Sequence, residues 1–248
     1  MVMTPDFSRE KMPLAMTASL SLVAKSHTIR CDARQAEKRF AEFEVFISSV
    51  EHFYLGDFLP NAFVKGKQPQ YIESLEPSGV PVINTLAIQQ LSIRVEECRF
   101  ITQEDYDALD DERKPKKNDV LLTVDGGPSI GKPVSFDLEE DYAIDSHIAI
   151  LRPVSLDPKW LVYLLASPLG QVQFQQAESG ASGQTGVTEE DVRRFRFPVI
   201  KEQDIEQILG DLDRERAKIV ELASTMREAE ERAWGEFNLG IASKARRI

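Results

Sequence analysis

Residues 118–137 read NDVLLTVDGGPSIGKPVSFD, and this stretch decides the fold class. DVLLTV (119–124) and KPVSFD (132–137) are short runs suited to strands, and GGPSIGK (126–132) joins them with turn residues. Gly126 and Gly131 are separated by four residues and followed by Lys132, which is the opening of a phosphate-binding loop. Such a loop needs Ser or Thr after the Lys and then a helix. Here Pro133 and a strand follow, so the stretch reads as strand, turn, strand and not as a nucleotide site.

Working outward, further strand candidates are VPVINT (80–85), LSIRVE (91–96) and HIAILRP (147–153). Helical pieces interrupt them. ITQEDYDALDDER (101–113) places Thr102 three residues before Asp105, near capping-box spacing, with a Tyr106/Leu109 face. DPKWLVYLLASPLGQVQFQQAESG (157–180) starts on Asp157 and Pro158, turns Trp160, Leu161, Leu164 and Leu165 inward and ends at Gly180. Residues 32–52 form a third helix, capped by Asp32, with Phe40, Phe43, Val45, Phe46 and Ile47 on a broad apolar stripe, and 17–30 suit a strand or extended arm. The fold expected is α+β, with a curved, barrel-like mixed sheet and peripheral helices.

Beyond Pro198 the pattern changes. From Glu202 to about Trp234 there is no Pro and one interior Gly, Gly210, before the end of the run. Ile205, Leu212, Ile219, Met226 and Ala233 recur at one heptad position, and Ile208, Glu215, Leu222 and Ala229 at the other. This is the seam of a coiled-coil helix that seeks a partner, with Glu215 and the two alanines as its weak points. The alternative is one amphipathic helix packed back on its own domain.

The chain has 248 residues, 42% hydrophobic and 29% charged, enough for a real core. Its net charge of -11 argues against a protein that coats nucleic acid without selection. No segment is net basic: residues 200–248 hold nine basic and eleven acidic groups, 61–118 eight and ten, and 119–199 six and twelve. Cys31 and Cys98 lie in no CxxC or Cys/His cluster, and the first 30 residues lack a secretory apolar core, so a cytoplasmic protein without membrane span or disulfides is expected. His27, His52 and His147 stand in no metal or triad spacing, and the acidic pairs Asp110/Asp111, Glu139/Glu140 and Glu189/Glu190 read as solvated faces or helix starts and not as the carboxylates of a metal-dependent nuclease. No Asn-Pro-Pro-aromatic tetrad of a methyltransferase is present. The chain is therefore expected to be non-catalytic, with no cofactor or metal.

Several pieces in order resemble the specificity subunit of type I restriction-modification systems, in a form with a single target-recognition domain. NDVLLTVDGGPSIGKPVSF resembles that family's Asp-(Ile/Val)-Leu…Gly-Ser-Ile-Gly-Lys hairpin, and IDSHIAILRP (144–153) its Asn-Gln-His…Arg-Pro strand, with Asp145 and Ser146 where Asn and Gln are usual. Residues 160–199 resemble its helix, Gly-rich turn and (Ser/Thr)-x-x-(Asp/Glu) exit before a long helix. IRCDARQAEKRFAEF (29–43) resembles its lead-in helix, with Gln35 in place of an aromatic residue, and YLGDF (54–58) the opening of the recognition domain. The resemblance spans roughly residues 28–235, and the register of the pieces is more specific than any one of them.

The resemblance implies a DNA-reading subunit for half of a bipartite site, acting with an adenine methyltransferase subunit that holds S-adenosylmethionine, and with a restriction subunit. It divides the chain into an N-terminal arm and lead-in helix (1–52), a target-recognition domain (53–199), a coiled-coil spacer helix (200–236) and a tail (237–248). The helix, through Ile205, Ile208, Leu212, Ile219, Leu222 and Met226, would pair with a second copy or a paralogous specificity chain. Candidate contacts to double-stranded DNA are polar loop residues, with Lys and Arg on phosphates and amides or hydroxyls on base edges. They are Lys65, Lys67, Gln68, Gln70 and Tyr71 in one loop; Lys114, Lys116 and Lys117 in the densest basic run; Ser129 and Lys132 in the hairpin; and Gln184 and Thr185 in the Gly-rich turn. The Lys114–Lys117 run is either a phosphate contact or a solvated loop, and Arg193, Arg194 and Arg196 bind phosphate or pair with Glu189 and Glu190. A second reading is an adaptor of an antiviral defence complex that keeps the fold without reading DNA.

Overall fold

A computed structural model of the chain describes residues 37–73, 79–89, 91–179 and 185–245. The arm at 17–30, Asp32, Cys31, Gly180, Gly183 and Gln184 lie outside the described residues. The chain divides into two compact units, Met1–Val199 and Ile200–Ile248.

In the first unit, helix α1 (Lys38–Ser48) leads to β1 (His52–Tyr54), β2 (Val64–Lys65), β3 (Val80–Ile83), β4 (Ile88–Gln89), β5 (Ser92–Ile93) and β6 (Arg99–Ile101). Next come α2 (Gln103–Asp107), β7 (Val120–Thr123), β8 (Pro133–Ser135), β9 (Ala143–Ile144) and β10 (Ile148–Leu151). Helices α3 (Pro158–Ala166), α4 (Pro168–Ala177) and α5 (Glu189–Arg193) precede β11 (Arg196–Pro198). The fold is α+β. Among the described residues the strands form four small sheets, in the orders β1-β11, β2-β10-β7-β8, β6-β3-β9 and β4-β5, and no closed barrel. All pairs are antiparallel except β3 with β9.

The four-stranded sheet is the scaffold. Every residue of β7 and β10 is buried, which matches their unbroken apolar runs rather than an alternating pattern. Leu121, Ile148, Ile150, Val134 and Phe136 join Ile83, Ile88 and Ile144 in the main core. A second core joins Phe40, Phe43 and Ile47 of α1 to Val172 of α4, and a third joins Val80, Val82, Ile101, Tyr106 and Ala143.

Caps explain most helix starts. Asp157 accepts from the backbone N–H groups of Lys159 and Trp160. Thr102 accepts from Asp105 N at 3.0 Å, and Thr188 with Asp191 closes a reciprocal capping box, which is the structural meaning of the Thr-x-x-Asp exit signature.

Several expectations change. The single helix at 157–180 is two helices, because Pro168 has no N–H to continue the ladder and Ser167 caps a new start by accepting from Gly170 N. The strand expected at 91–96 shortens to Ser92–Ile93 and turns into a 3-10 segment at Val95–Glu97. Helix 101–113 stops at Asp107, with a separate turn at Asp111–Arg113. Val45, placed on the apolar stripe of α1, is exposed, since that stripe is narrower than the run of apolar residues. The parallel β3–β9 pair had no local signature.

The second unit is helix α6, Glu202–Ala245. It runs beyond the expected end near 236, passing Gly210, Gly235 and Gly240. A glycine costs a helix about 1 kcal/mol, whereas the Pro that would stop it is absent. Ile219, Leu222, Met226, Trp234 and Phe237 are exposed large apolar side chains along it.

Candidate nucleic-acid interface

Loops from distant parts of the sequence meet where β7 ends, β10 begins and β2 ends. Lys65 pairs in register with Ala149 of β10, and Gly66 N extends that ladder by donating to Ile148 O at 3.1 Å. A Cβ on Gly66 would overlap the carbonyl oxygens of Ile144 and Asp145, so only glycine lets this loop lie against the turn before β10. The hairpin is anchored from its own side, with Val124 N donating to His147 O and Gly126 N to Thr185 O. Gly131, at φ +80°, rests against the Phe174 ring, where a Cβ would sit 2.8 Å from Cδ2. Gln171 Nε2 then donates to Gly131 O at 2.8 Å, tying the hairpin to α4.

On this frame the side chains are polar. Lys65 Nζ pairs with Asp125 Oδ2 at 2.5 Å. Ser146 Oγ donates to Gln68 Oε1 at 3.0 Å across 78 residues of chain. Lys132 Nζ lies 3.4 Å from Ser129 Oγ in the hairpin, and Thr185 supplies the carbonyl that holds Gly126. Asp145 is buried below this surface. Its Oδ1 accepts from His147 N at 2.9 Å, forming a tight turn that presents Ser146 and the exposed His147. Burial raises the Asp145 carboxyl above the usual aspartate range, opposed by the His147 backbone N–H and the His147 ring.

The lysine run lies at the other end of β7. Arg152 donates through Nε to Asp119 Oδ1 and through Nη2 to Asp119 Oδ2, each at 3.0 Å. Its Nη2 also reaches Glu112 O, and Lys116 N donates to Asp119 Oδ2 at 2.8 Å, so this pair shapes the loop that carries the lysines. Lys117 meets Glu139 at 2.8 Å, and Lys114 lies 3.7 Å from Asp111 and 4.8 Å over the Tyr106 ring. Burial and a hydrogen bond to Asp141 push Tyr106 up to about 12, so it stays a neutral platform. Lys67 reaches toward Asp110 at 3.9 Å.

The structure thus gathers Lys65, Gln68, Ser129, Lys132 and Thr185 at one end of β7 and sets Lys114, Lys116 and Lys117 at the other. Gln70 is exposed farther along the first loop. Tyr71 turns away, packing on the third core beneath Arg99, whose guanidinium lies 3.7 Å from the ring centre. Arg193 and Arg194 pair with Glu189 and Glu190 at 2.6 and 2.8 Å, while Arg196 pairs with Glu44 at 2.5 Å. Asp125, Ser146 and His147 were not among the candidates. In the sequence, Asp145 and Ser146 stood out only as a departure from the resembled motif, which favours the adaptor reading, and no local signal marks Asp125.

The buried Cys98 thiol is pushed up to about 11 by burial and by Glu96, which makes it a poor nucleophile. No group of three or more His, Cys, Asp or Glu side chains is placed to hold a metal among the described residues. No helix there is long and apolar enough to cross a membrane.

No protein-family model matches the sequence, and no curated protein matches it. Among solved structures, the chain is similar to one described under complex assembly and conformational transition of the type I R-M system, at 19% identity and TM-score 0.48, covering 77% of this chain and 48% of that one. It is similar to the type I restriction-modification S subunit from M. genitalium, at 16% identity and TM-score 0.48, over 70% of this chain and 40% of that one. It is also similar to the HsdS subunit from Thermoanaerobacter tengcongensis, at 17% identity and TM-score 0.48, over 75% of this chain and 46% of that one. The chain spans less than half the length of each of these solved chains.

Proposed function

We propose that the chain is a non-catalytic DNA sequence-specificity subunit that reads half of a target site and directs an adenine methyltransferase and restriction complex. The observation that carries this reading is the convergence, at one end of the β2-β10-β7-β8 sheet, of the loop after β2 with the hairpin and the turn before β10, which lie in the resembled stretches. There Gln68, Ser146, His147, Ser129 and Thr185 accompany Lys65 and Lys132 at the ends of paired strands. Hydroxyl and amide groups read base edges, whereas lysines mainly fix register on phosphates. S-adenosylmethionine would be held by the methyltransferase partner, and α6 would pair with a second copy or a paralogous chain.

The charge pattern supports the division of labour. Lys65, Lys114 and Lys117 each face a carboxylate within the chain, so phosphate neutralisation falls largely to partner subunits. Those same pairings favour the second reading, an adaptor that retains the fold without reading DNA. Titration of duplexes with the chain co-assembled with its methyltransferase separates the two. The specificity subunit selects one sequence at least tenfold over scrambled duplex and loses affinity steeply with salt; equal binding to all duplexes overturns the reading. Charge reversal at Lys114, Lys116 and Lys117 leaves an adaptor's activity intact.

A further inference from the structure

The side chain of Gln68 is held in a way that suits one base. An amide offers two lone pairs on oxygen and two hydrogens on nitrogen. The Ser146 hydroxyl donates to Gln68 Oε1 at 3.0 Å and so uses one lone pair. What is left is one acceptor site and the N–H donors side by side, the complement of the adenine N6 amino group and N7 in the major groove.

Both ends of this contact are fixed from below. Ser146 sits in the turn closed by Asp145 Oδ1 on His147 N, by Ile148 N on Asp145 O at 3.2 Å and by Asp145 N on Ile83 O at 3.1 Å. Gln68 follows two residues after Gly66, whose backbone lies too close to Asp145 for any other residue. The exposed Gln68 is thus carried on a chain that Gly66 holds at the sheet two residues earlier. The neighbouring Lys65 is occupied by Asp125 at 2.5 Å, which leaves this spot governed by hydrogen-bond pattern more than by net charge.

We propose that Gln68 reads an adenine through its amide and that Ser146 is the positioning residue that orients it. This inference rests on the DNA-reading function proposed above and names the base contact within it. The test selects duplexes from a randomised pool with the chain assembled with its methyltransferase, followed by sequencing. Gln68→Ala is expected to lose about tenfold or more of the preference at a single A·T position, with the other positions and non-specific affinity unchanged. Gln68→Glu is expected to move that preference toward cytosine, whose N4 amino group a carboxylate accepts. Ser146→Ala is expected to blur the same position by a smaller factor, and Ser146→Thr to restore it. A wild-type complex that selects a sequence, with Gln68→Ala selecting the same one at every position, overturns this inference alone. A wild-type complex with no preference overturns the proposed function together with it.

Discussion

Arg152 grips Asp119 through two parallel hydrogen bonds of 3.0 Å, joining the residue that precedes β7 to the residue that follows β10. The Asp119 side chain is 7% exposed and that of Arg152 27%, so the carboxylate depends on this guanidinium for its charge balance. Asp119 belongs to the Asp-(Ile/Val)-Leu signature and Arg152 to the Arg-Pro signature. Both motif residues therefore act on the scaffold. Removing one partner leaves the other partly buried and uncompensated, and Arg152→Ala is expected to lower stability by about 3 kcal/mol in urea unfolding. Lys117→Ala, at an exposed pair, is expected to leave the unfolding midpoint unchanged.

Gly131 is the structural glycine of the hairpin. Gly131→Ala must place a Cβ 2.8 Å from Phe174 Cδ2 at φ +80°, and both costs add to about 2 kcal/mol or more. At Gly127 (φ +57°) nothing lies within 4 Å of the methyl carbon that an alanine would add, so Gly127→Ala is expected to cost about 1 kcal/mol from backbone alone. Parallel thermal melts compare them; equal shifts would contradict the Phe174 contact.

Asp145 gives a pH dependence with a definite sign. Burial raises its folded-state pKa, so the folded protein binds the proton more tightly than the unfolded chain. Its contribution is most favourable in acid and declines as pH rises through the raised value, leaving a constant penalty at neutral pH. Asp145→Asn keeps the oxygen that accepts from His147 N and removes the charge. The variant is expected to be more stable than wild type at pH 7, with the gap closing below the ordinary aspartate range, as read from urea unfolding across pH.

Helix α6 carries a broken seam. Ile219, Leu222 and Met226 are exposed, and Glu215 stands at a seam position, engaged with Lys218 at 2.7 Å. Burying one Leu or Ile contributes about 2 kcal/mol. In sedimentation of the full chain, Ile219→Asp with Leu222→Asp is expected to abolish association, and Glu215→Leu to strengthen it. Association unchanged by the double variant would rule out this face as the pairing seam.

What local chemistry writes was readable in the order of residues. The strands at β3, β7, β8 and β10, the caps at Thr102 and Asp157, the hairpin turn and the uninterrupted α6 depend on near neighbours, on turn residues and on periodicity. The break at Ser167-Pro168 was also local, and it was hidden by a hydrophobic pattern that continues across it. The order of the motifs along the chain carried the resemblance on which the proposed function rests.

Which side chains share a surface was decided by the tertiary structure. Lys65 finds Asp125 across 60 residues, Gln68 finds Ser146 across 78, and Asp119 finds Arg152 across 33. Those meetings follow from the β2-β10-β7-β8 strand order, which no periodicity encodes, because a sheet pairs strands by long-range hydrogen bonds and shared core burial. The order of residues set the segments, their turns and the acidic balance. The fold determined that the loop after β2 meets the turn before β10 and also reaches the segment that leads into the lysine run, and that several cations already face carboxylates of their own chain.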